Sequence, residues 1–516
     1  MEPNFRASMN WLHTWAGVVL GGLLFAIFWM GTLSVFDREI DLWMKPATRV
    51  DGSRSIAVDT LARELQPLVG DAAQWFMLFP TEREPAVRIG YRGASGPFAR
   101  RSADPATMAP LPDEGTLAGT GFIFPFHYSL HIRFASLGYW IVGLAAMFMM
   151  ALCVSGVVIH RKIFTDFFTF RADKKPRRLV LDLHNVAGVL GLPFHFMITL
   201  SGLIIFFSIY FPTTTDFAYG GDRRSFNQEA FGNVSRAKAN APAAAAPVSL
   251  DGLLADATRR WEGGKPYFLR VWHPGDAHSY VEIRRGYDDA ITMNLDVLYF
   301  DAATGELLSA SSVSPVMNVQ RFISGLHFVQ FRHWTLRWVY FGLGLTGCLL
   351  IATGYLFWLE SRRKKHEQLG RRGVRVVEGL TIGSVTGIVI ATLSFFVANR
   401  LLPTGATWLG QERAALEVWT FYLVWLATFA HAWLRPGRAW CEQAGAIAAL
   451  ALTAVALNWM TTGHHFGRSL AQPHLQAIAG MDLLLLGGAG LAAVAAHRLR
   501  RRIASGGGRE VRIKLT

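Results

Sequence analysis

Eight runs of apolar residues, each long enough to cross a lipid bilayer, constrain this chain more than any other feature. A helix rises 1.5 Å per residue, so about 20 apolar residues span a hydrocarbon core of about 30 Å. Only 17% of the residues are charged, against roughly 25% in soluble globular proteins. The sequence therefore predicts a mainly α-helical membrane protein with eight transmembrane helices, near residues 12–36, 135–159, 182–210, 334–358, 379–399, 416–434, 440–460 and 478–497.

The basic residues are concentrated in short segments between or after these runs. Residues 161–180, 359–377 and 498–516 each carry seven Lys or Arg, whereas acidic residues outnumber basic ones in 41–120 and in 211–320. Basic residues remain preferentially on the cytoplasmic side of a membrane. We therefore expect membrane lipid around the helices, both termini in the cytoplasm and both long polar segments outside. The net charge of +14 then needs no nucleic-acid partner.

The first two thirds of the chain contain an internal repeat. Residues 12–31 align without a gap on residues 183–202, and both segments begin with the pattern Leu-His-x-x-Ala-Gly. A weaker similarity relates the segments that begin at Leu130-His131 and at Leu326-His327. The chain up to about residue 362 is thus two copies of a helix, an outer segment and a second helix.

Each outer segment has the pattern of a small α+β unit. Apolar residues at helical spacing predict one helix in each segment, at 57–69 and 249–261. Alternating apolar residues rich in β-branched and aromatic side chains predict strands at 75–80, 86–92, 267–273, 279–285 and 293–300, with a turn into another strand at 301–308.

Histidines recur at equivalent positions of the two copies. His13 and His184, here called the cytoplasmic pair, share one depth; His131 and His327, the outer pair, share the opposite depth. Two pairs at two levels of a helical bundle suit bis-histidine haem, because two imidazoles must face each other across a flat macrocycle. The sequence therefore predicts a bis-histidine haem site at each of the two levels. Small residues that would let a porphyrin or a neighbouring backbone approach are Gly17, Gly138, Gly188 and Gly325.

Other histidines are alternative ligands. His160 ends the second helix at the depth of the cytoplasmic pair, but its repeat counterpart is near Trp358, so it breaks the symmetry of the repeat. His195 follows His184 by 11 residues, about 16 Å along the helix and on nearly the same face, so it is the best replacement for a haem nearer the midplane. A lone histidine at a helix end is more often only hydrogen-bonded. The remaining alternatives are His127 and His333.

The motifs together resemble those of the PepSY-associated transmembrane family. The resemblance covers about residues 6–365 and rests on Leu-His-x-x-Ala-Gly in helices one and three, Leu-His before helices two and four, Ser155-Gly156, Thr353-Gly354 and an outer Asp-x-x-Thr-Gly-Glu. It implies periplasmic PepSY-like domains and a dihaem b-type protein of the bacterial inner membrane. The ligands that it implies are His13, His184, His131 and His327.

The apolar runs and the resemblance divide the chain into membrane, periplasmic and cytoplasmic segments. The PepSY-like domains are expected at 41–125 and 211–320, and four additional helices at 378–497 extend beyond the family's four-helix core. The complete set of predicted segments is 1–40, 41–125, 126–162, 163–180, 181–210, 211–320, 321–362, 363–377, 378–497 and 498–516.

The resemblance also implies an enzyme that reduces a ferric siderophore, or another ferric chelate, on the periplasmic side. Reduction releases the metal because ligands that suit Fe(III) hold Fe(II) less well. No Gly-x-Gly-x-x-Gly follows a predicted strand, so we expect the electrons to come from a membrane quinol or a soluble reductase. Two alternatives remain open: a non-redox protein that binds peptides or regulates an envelope protease, and a proton-coupled transporter.

Overall fold

The computed structural model describes most of the chain, which is organised in two compact units. The first unit consists of Met1–Met44, Gly115–Leu203 and Thr335–Thr516, and the second of Lys45–Glu114 and Ile204–Trp334. Most of the predicted basic loop 163–180 and the end of the predicted tail lie outside the described residues. The described residues are 4–52, 57–69, 73–92, 98–160, 176–244, 246–311, 314–370 and 373–505.

Helices account for most of the described chain. Short helical turns of other types lie at Pro46–Thr48, Gly119–Ile123, Phe134–Ser136 and Pro473–Leu475. The α-helices are α1 Phe5–Ser34, α2 Asp37–Met44, α3 Val58–Val69, α4 Phe124–Ser129, α5 Leu137–Ile159, α6 Pro176–Ile205, α7 Phe207–Tyr210, α8 Thr213–Tyr219, α9 Arg223–Phe231, α10 Leu250–Arg260, α11 Pro315–Phe328, α12 Trp334–Gln368, α13 Gly373–Leu401, α14 Arg413–Leu434, α15 Ala439–Thr462, α16 Phe466–Ala471 and α17 Gln476–Ala504.

Within the described ranges, seven helices are long and apolar enough to cross a membrane. The chain is accordingly a multi-pass membrane protein. The eighth predicted run, 416–434, forms α14, which is not among the seven and begins with a buried Arg413–Glu417 ion pair of 3.2 Å. An eighth span therefore stays a prediction. The seven are Phe5–Ser34, Phe134–Ile159, Arg177–Ile205, Trp334–His366, Gly373–Leu401, Ala439–Thr462 and Pro473–Ala504.

The predicted segment 321–362 is two helices rather than one. α11 ends before Val329, which has a φ of 54°, and α12 begins at Trp334. A left-handed residue ends a helix because its backbone cannot continue the helical hydrogen bonds. Left-handed residues also follow α4, where Leu130 and His131 have φ values of 50° and 52°. Short helices therefore precede both the second and the fourth long helices of the repeat.

The additional helices share a buried core with the beginning of the chain. Trp43 from α2 and Phe122 pack with Phe395 from α13 and Phe421 from α14. Trp43 also donates its Nε1–H to the buried carboxylate of Asp482 on α17, at 2.8 Å. The helices beyond the repeat are therefore an integral part of the first unit.

The second unit is built on one antiparallel sheet. Its strands are β1 Gln74–Leu78, β2 Val87–Arg92, β3 Phe98–Ala103, β4 Pro110–Leu111, β5 Pro266–Trp272, β6 Tyr280–Arg285, β7 Val297–Asp301 and β8 Leu307–Ala310. Their order is β4-β3-β2-β1-β5-β6-β7-β8. The sequence predicts two separate α+β units, whereas the structure joins them, because β1 and β5 pair with Met77 opposite Leu269.

The helices α3 and α10 pack against the same core and cap each other reciprocally. The carboxylate of Asp251 on α10 accepts hydrogen bonds from the backbone N–H groups of Val58 and Asp59, each at 3.0 Å. The carboxylate of Asp59 on α3 accepts them from Ser249 Oγ and from the N–H of Leu250, each at 2.6 Å. Carboxylates are favourable at helix N-termini because free N–H groups point out there.

We expect Asp251→Ala to destabilise α3 more than its own helix. The substitution leaves the N–H groups of Val58 and Asp59 without their acceptor, at a cost of about 0.5–2 kcal/mol. Hydrogen exchange followed by mass spectrometry should show faster exchange in the peptide that contains the start of α3. Glu64→Ala, at an exposed position of α3, is the control, and equal exchange in the two variants would contradict the capping role.

Candidate functional site

A cavity lies among α1, α5, α6 and α12 in the first unit. Its volume is about 390 Å³, within the range of about 300–1,000 Å³ that is usual for cofactor and ligand sites. The structure brings both members of the cytoplasmic pair to this cavity, together with two of the alternative ligands. The four histidines in its wall are His13, His160, His184 and His195.

The imidazoles of the cytoplasmic pair face each other closely. The ring centroids of His13 and His184 are 6.4 Å apart, and the ring planes are nearly perpendicular, at 87°. A histidine nitrogen binds a metal ion at about 2 Å, so two imidazoles on opposite sides of one ion have centroids about 6 Å apart. The separation of the cytoplasmic pair therefore fits two axial ligands of one metal centre.

Hydrogen bonds determine which nitrogen each ring presents. Nδ1 of His184 lies 2.9 Å from the carbonyl oxygen of Leu350, which only accepts, so Nδ1 carries the proton. Nδ1 of His13 lies 3.0 Å from Oγ of Ser155, whose own proton is donated to Leu152 O at 3.2 Å. Both rings therefore keep the lone pair on Nε2, the nitrogen available to a metal.

The repeated Ser-Gly and Thr-Gly dipeptides hold these rings. A Cβ atom added to Gly156 would lie 3.3 Å from Cε1 of His13, and one added to Gly354 would lie 3.2 Å from Cε1 of His184. The preceding hydroxyl group contacts Nδ1 of the same ring, at 3.0 Å in the first copy and 3.4 Å for Thr353 in the second. Sequence reasoning found the dipeptides as a repeat but missed this role.

The two alternative ligands in the cavity lie at different places in their helices. His160 follows the last residue of α5. His195 lies within α6 and is almost fully buried, and its Nε2 donates to the carbonyl oxygen of Leu343 at 3.3 Å. Its lone pair is therefore on Nδ1, unlike those of the cytoplasmic pair. That His160 or His195 replaces a member of the cytoplasmic pair as a ligand stays a prediction.

The members of the outer pair fall in different units and are described separately. His131 lies in the turn after α4, its ring is 5.3 Å from that of Phe122, and its buried Nε2 has no hydrogen-bonding partner among the described residues. A buried nitrogen without a partner is unfavourable unless a ligand or metal completes it. His327 lies in the last turn of α11. The pairing of these two histidines stays a prediction.

The other two alternatives lie elsewhere. His127 packs against α1, where a Cβ atom added to Gly31 would lie 2.6 Å from its ring, and its Nδ1 donates to the carbonyl oxygen of Ile27 at 2.9 Å. His333 is exposed between α11 and α12. His333 therefore serves as a control position in the experiments below.

The predicted small residues divide into two groups. Gly17 and Gly188 line the cavity. A Cβ atom added to Gly138 or Gly325 would instead lie 1.8 Å from a backbone carbonyl oxygen, of Ser129 or Ile291 respectively. The first two glycines are therefore part of the cavity wall, where a Cβ at Gly188 would lie 3.3 Å from Leu350, whereas the other two allow close approach of backbone.

One face of the sheet in the second unit is aromatic and basic. The rings of Phe98, Phe76 and Phe268 stack in sequence across β3, β1 and β5, with centroids 5.6 and 5.5 Å apart. Gly90 lies between the first two rings, and a Cβ atom there would be 2.4 Å from Phe76. The guanidinium of Arg270 is 4.9 Å from the ring of Phe268. Such contacts are attractive because a ring face is electron-rich.

The charge of this face is only partly neutralised. Glu282 is buried between Arg270 and Arg284, and burial raises the pKa of the neighbouring Tyr299 to about 12, so that phenol stays neutral. Arg92 and Arg100 are exposed and form no ion pair within the described part of the chain. The face is therefore suited to an anion that carries aromatic groups.

Comparison with known proteins gives two matches. The sequence profile of a family described as "PepSY-associated TM region" matches residues 10–361. The chain is also 30% identical over 381 residues to an uncharacterised protein of Pseudomonas aeruginosa, PA4219, and this alignment covers 70% of the chain and 90% of the relative.

We expect Gly354→Val to lower the thermal stability of the protein. The new side chain would overlap the ring of His184, and overpacking of this kind typically costs about 1–3 kcal/mol. Gly342→Val is the matched control on α12, because no atom lies within 4 Å of a Cβ at Gly342. Thermal unfolding in detergent, followed by tryptophan fluorescence, measures both variants. Equal thermal unfolding midpoints for the two variants would show that the ring of His184 does not require a glycine at position 354.

Proposed function

Because the chain belongs to the PepSY-associated transmembrane family, we propose that it is a haem-binding electron-transfer protein of the bacterial inner membrane. In this proposal the cytoplasmic pair, His13 and His184, holds one b-type haem. The single observation that carries the proposal is the geometry of this pair, whose ring centroids are 6.4 Å apart beside a cavity, with Nδ1 of each ring engaged by a hydrogen-bond partner so that Nε2 is left for a metal. Both termini would lie in the cytoplasm.

The residues around the cytoplasmic pair fit this group. Gly17 and Gly188 line the cavity beside the rings, and Gly156 and Gly354 let each ring lie against the facing helix. Ser155 holds one ring in orientation through Nδ1, as hydrogen-bonding partners of metal-bound imidazoles usually do. The haem, when bound, supplies a one-electron couple at its iron, and the apolar wall would limit access of water to that iron.

The outer pair completes the proposal. His131 and His327 would hold a second haem, and the buried Nε2 of His131 without a partner supports a ligand at that position. Electrons from a membrane quinol or a soluble reductase would then cross the membrane by way of both sites.

The proposed substrate is a ferric siderophore or another ferric chelate on the periplasmic side. The aromatic and basic face of the second unit supports an anionic chelate, since Arg92 and Arg100 are exposed beside the stacked rings of Phe76 and Phe98. Transfer of one electron converts Fe(III) to Fe(II), which hard oxygen ligands bind less strongly, and the metal is released.

The proposal predicts two haems per polypeptide in the full-length protein. A pyridine haemochrome assay against protein concentration measures this number, and a b-type spectrum should appear on reduction with dithionite. His13→Ala and His184→Ala should each remove about half of the haem, because each deletes one axial ligand of the same site. His131→Ala should remove the other half.

The control for these variants is His333→Ala, at an exposed position outside both pairs, which should keep both haems. A colourless wild-type protein that is folded would refute the proposal. Full haem content in both His13→Ala and His184→Ala would reject the cytoplasmic pair as ligands.

The substrate assignment predicts that Arg92→Gln and Arg100→Gln slow the oxidation of the reduced protein by a negatively charged aromatic ferric chelate. The expected decrease in the second-order rate is about two- to five-fold for each arginine, the magnitude of one cation–π or weak ionic contact. Stopped-flow absorbance of the dithionite-reduced protein measures this rate. Arg63→Gln, on the exposed side of α3, should leave the rate unchanged; the same loss in all three variants would contradict recognition by the sheet face.

A further inference from the structure

The cavity of the cytoplasmic pair contains a buried hydrogen-bond donor without an acceptor. Trp358 on α12 is 6% exposed and lines the cavity, and its Nε1 has no hydrogen-bonding partner among the described residues. Leaving a buried N–H unpaired is unfavourable, and such groups are rare in folded proteins. The indole N–H therefore indicates an acceptor that a ligand of the cavity would supply.

A positive charge lies beside this donor. Arg362 follows Trp358 by one helical turn and lines the same cavity, with its guanidinium carbon 4.9 Å from the indole ring. Arg362 forms no ion pair with any residue that the structure describes. A second arginine of the wall, Arg178 on α6, is 2.9 Å from the buried carboxylate of Asp182, so that its charge is largely balanced. Among the described residues, the Arg362 guanidinium therefore has no ion-pair partner, and the Trp358 indole N–H has no acceptor.

Another part of the cavity wall is apolar. Leu24, Met149, Leu192 and Ile351 line it, and none of their side chains offers a hydrogen bond. A complementary ligand would combine a large apolar surface with an anionic edge. Arginine binds carboxylates strongly, because its planar guanidinium matches the two carboxylate oxygens.

We propose that Trp358 and Arg362 bind the carboxylate edge of the cavity's ligand, which is the propionate edge of a porphyrin. This inference rests on the proposed function, since it takes the ligand to be haem. It goes further because it assigns the orientation of the porphyrin in the cavity. The propionates would point to the part of α12 that carries Trp358 and Arg362. The apolar edge of the porphyrin would lie against the leucine, isoleucine and methionine side chains of the wall.

The test uses the full-length protein in detergent, produced under haem limitation. The probes are metal-free protoporphyrin IX and its dimethyl ester, which differ only in the carboxylates and need no axial ligand. Quenching of tryptophan fluorescence gives both dissociation constants. Wild-type protein should prefer the diacid, and Trp358→Phe and Arg362→Gln should each weaken its binding by about tenfold or more while leaving the ester unchanged, because only the diacid offers a charged acceptor.

Matched controls separate recognition from general damage to α12. Trp338→Phe changes an exposed tryptophan of the same helix, and Arg363→Gln changes a neighbouring arginine that pairs with Glu378 at 3.2 Å. Both should keep the wild-type preference for the diacid. Arg362→Lys keeps the positive charge and should restore part of the preference that Arg362→Gln loses.

Each outcome supports or overturns the inference. Equal affinity of the wild type for diacid and ester, or unchanged preference in both Trp358→Phe and Arg362→Gln, would overturn it while leaving the proposed function intact. A wild type that binds neither probe overturns the inference, whereas the proposed function is refuted separately, by a folded wild type that contains no haem.

A second measurement covers variants that are unstable without a ligand. Haem transfer from the loaded protein to excess apomyoglobin should be faster from Arg362→Gln than from wild type or Arg363→Gln, and equal rates for all three would overturn the inference.

Discussion

The hydrogen bond that each imidazole of the cytoplasmic pair donates through Nδ1 is the interaction on which the chemistry of the first unit depends. In an apolar helical bundle a ring N–H without an acceptor is strongly unfavourable, so the facing helix must provide one. The carbonyl oxygen of Leu350 and the hydroxyl of Ser155 do so. They thereby fix the tautomer and orientation of His184 and His13. Helices α5 and α12 thus determine the tautomer and the orientation of the histidines on α1 and α6.

The same contact between a dipeptide and a histidine occurs in both copies of the repeat. In each copy the second long helix carries the dipeptide that positions the histidine of the first, so Ser155-Gly156 serves His13 and Thr353-Gly354 serves His184. The two rings then lie with their centroids 6.4 Å apart and their planes nearly perpendicular. The same local arrangement, used twice, brings two histidines to one cavity, as the proposed haem site requires.

Much of this architecture could be predicted from the sequence, because membrane spans and repeats are patterns of composition and spacing. The family resemblance is confirmed by the match over residues 10–361. Strand β3 was missed since the adjacent Arg100 and Arg101 break its alternation, and the end of α11 was missed because Val329, a β-branched residue, is unexpected at positive φ. The indole N–H of Trp358, which has no acceptor among the described residues, could not be predicted, because hydrogen-bond partners in a helical bundle depend on tertiary packing.

The pairing of β1 with β5 at the centre of the sheet has a consequence for the stability of each copy. Four strands and one of the two mutually capping helices come from each copy, and the capping by Asp59 and Asp251 is reciprocal across the junction. A single copy would expose β1 as an open edge, and another identical chain is the simplest cover for such an edge. Within this polypeptide, each copy covers the strand edge that the other would leave open.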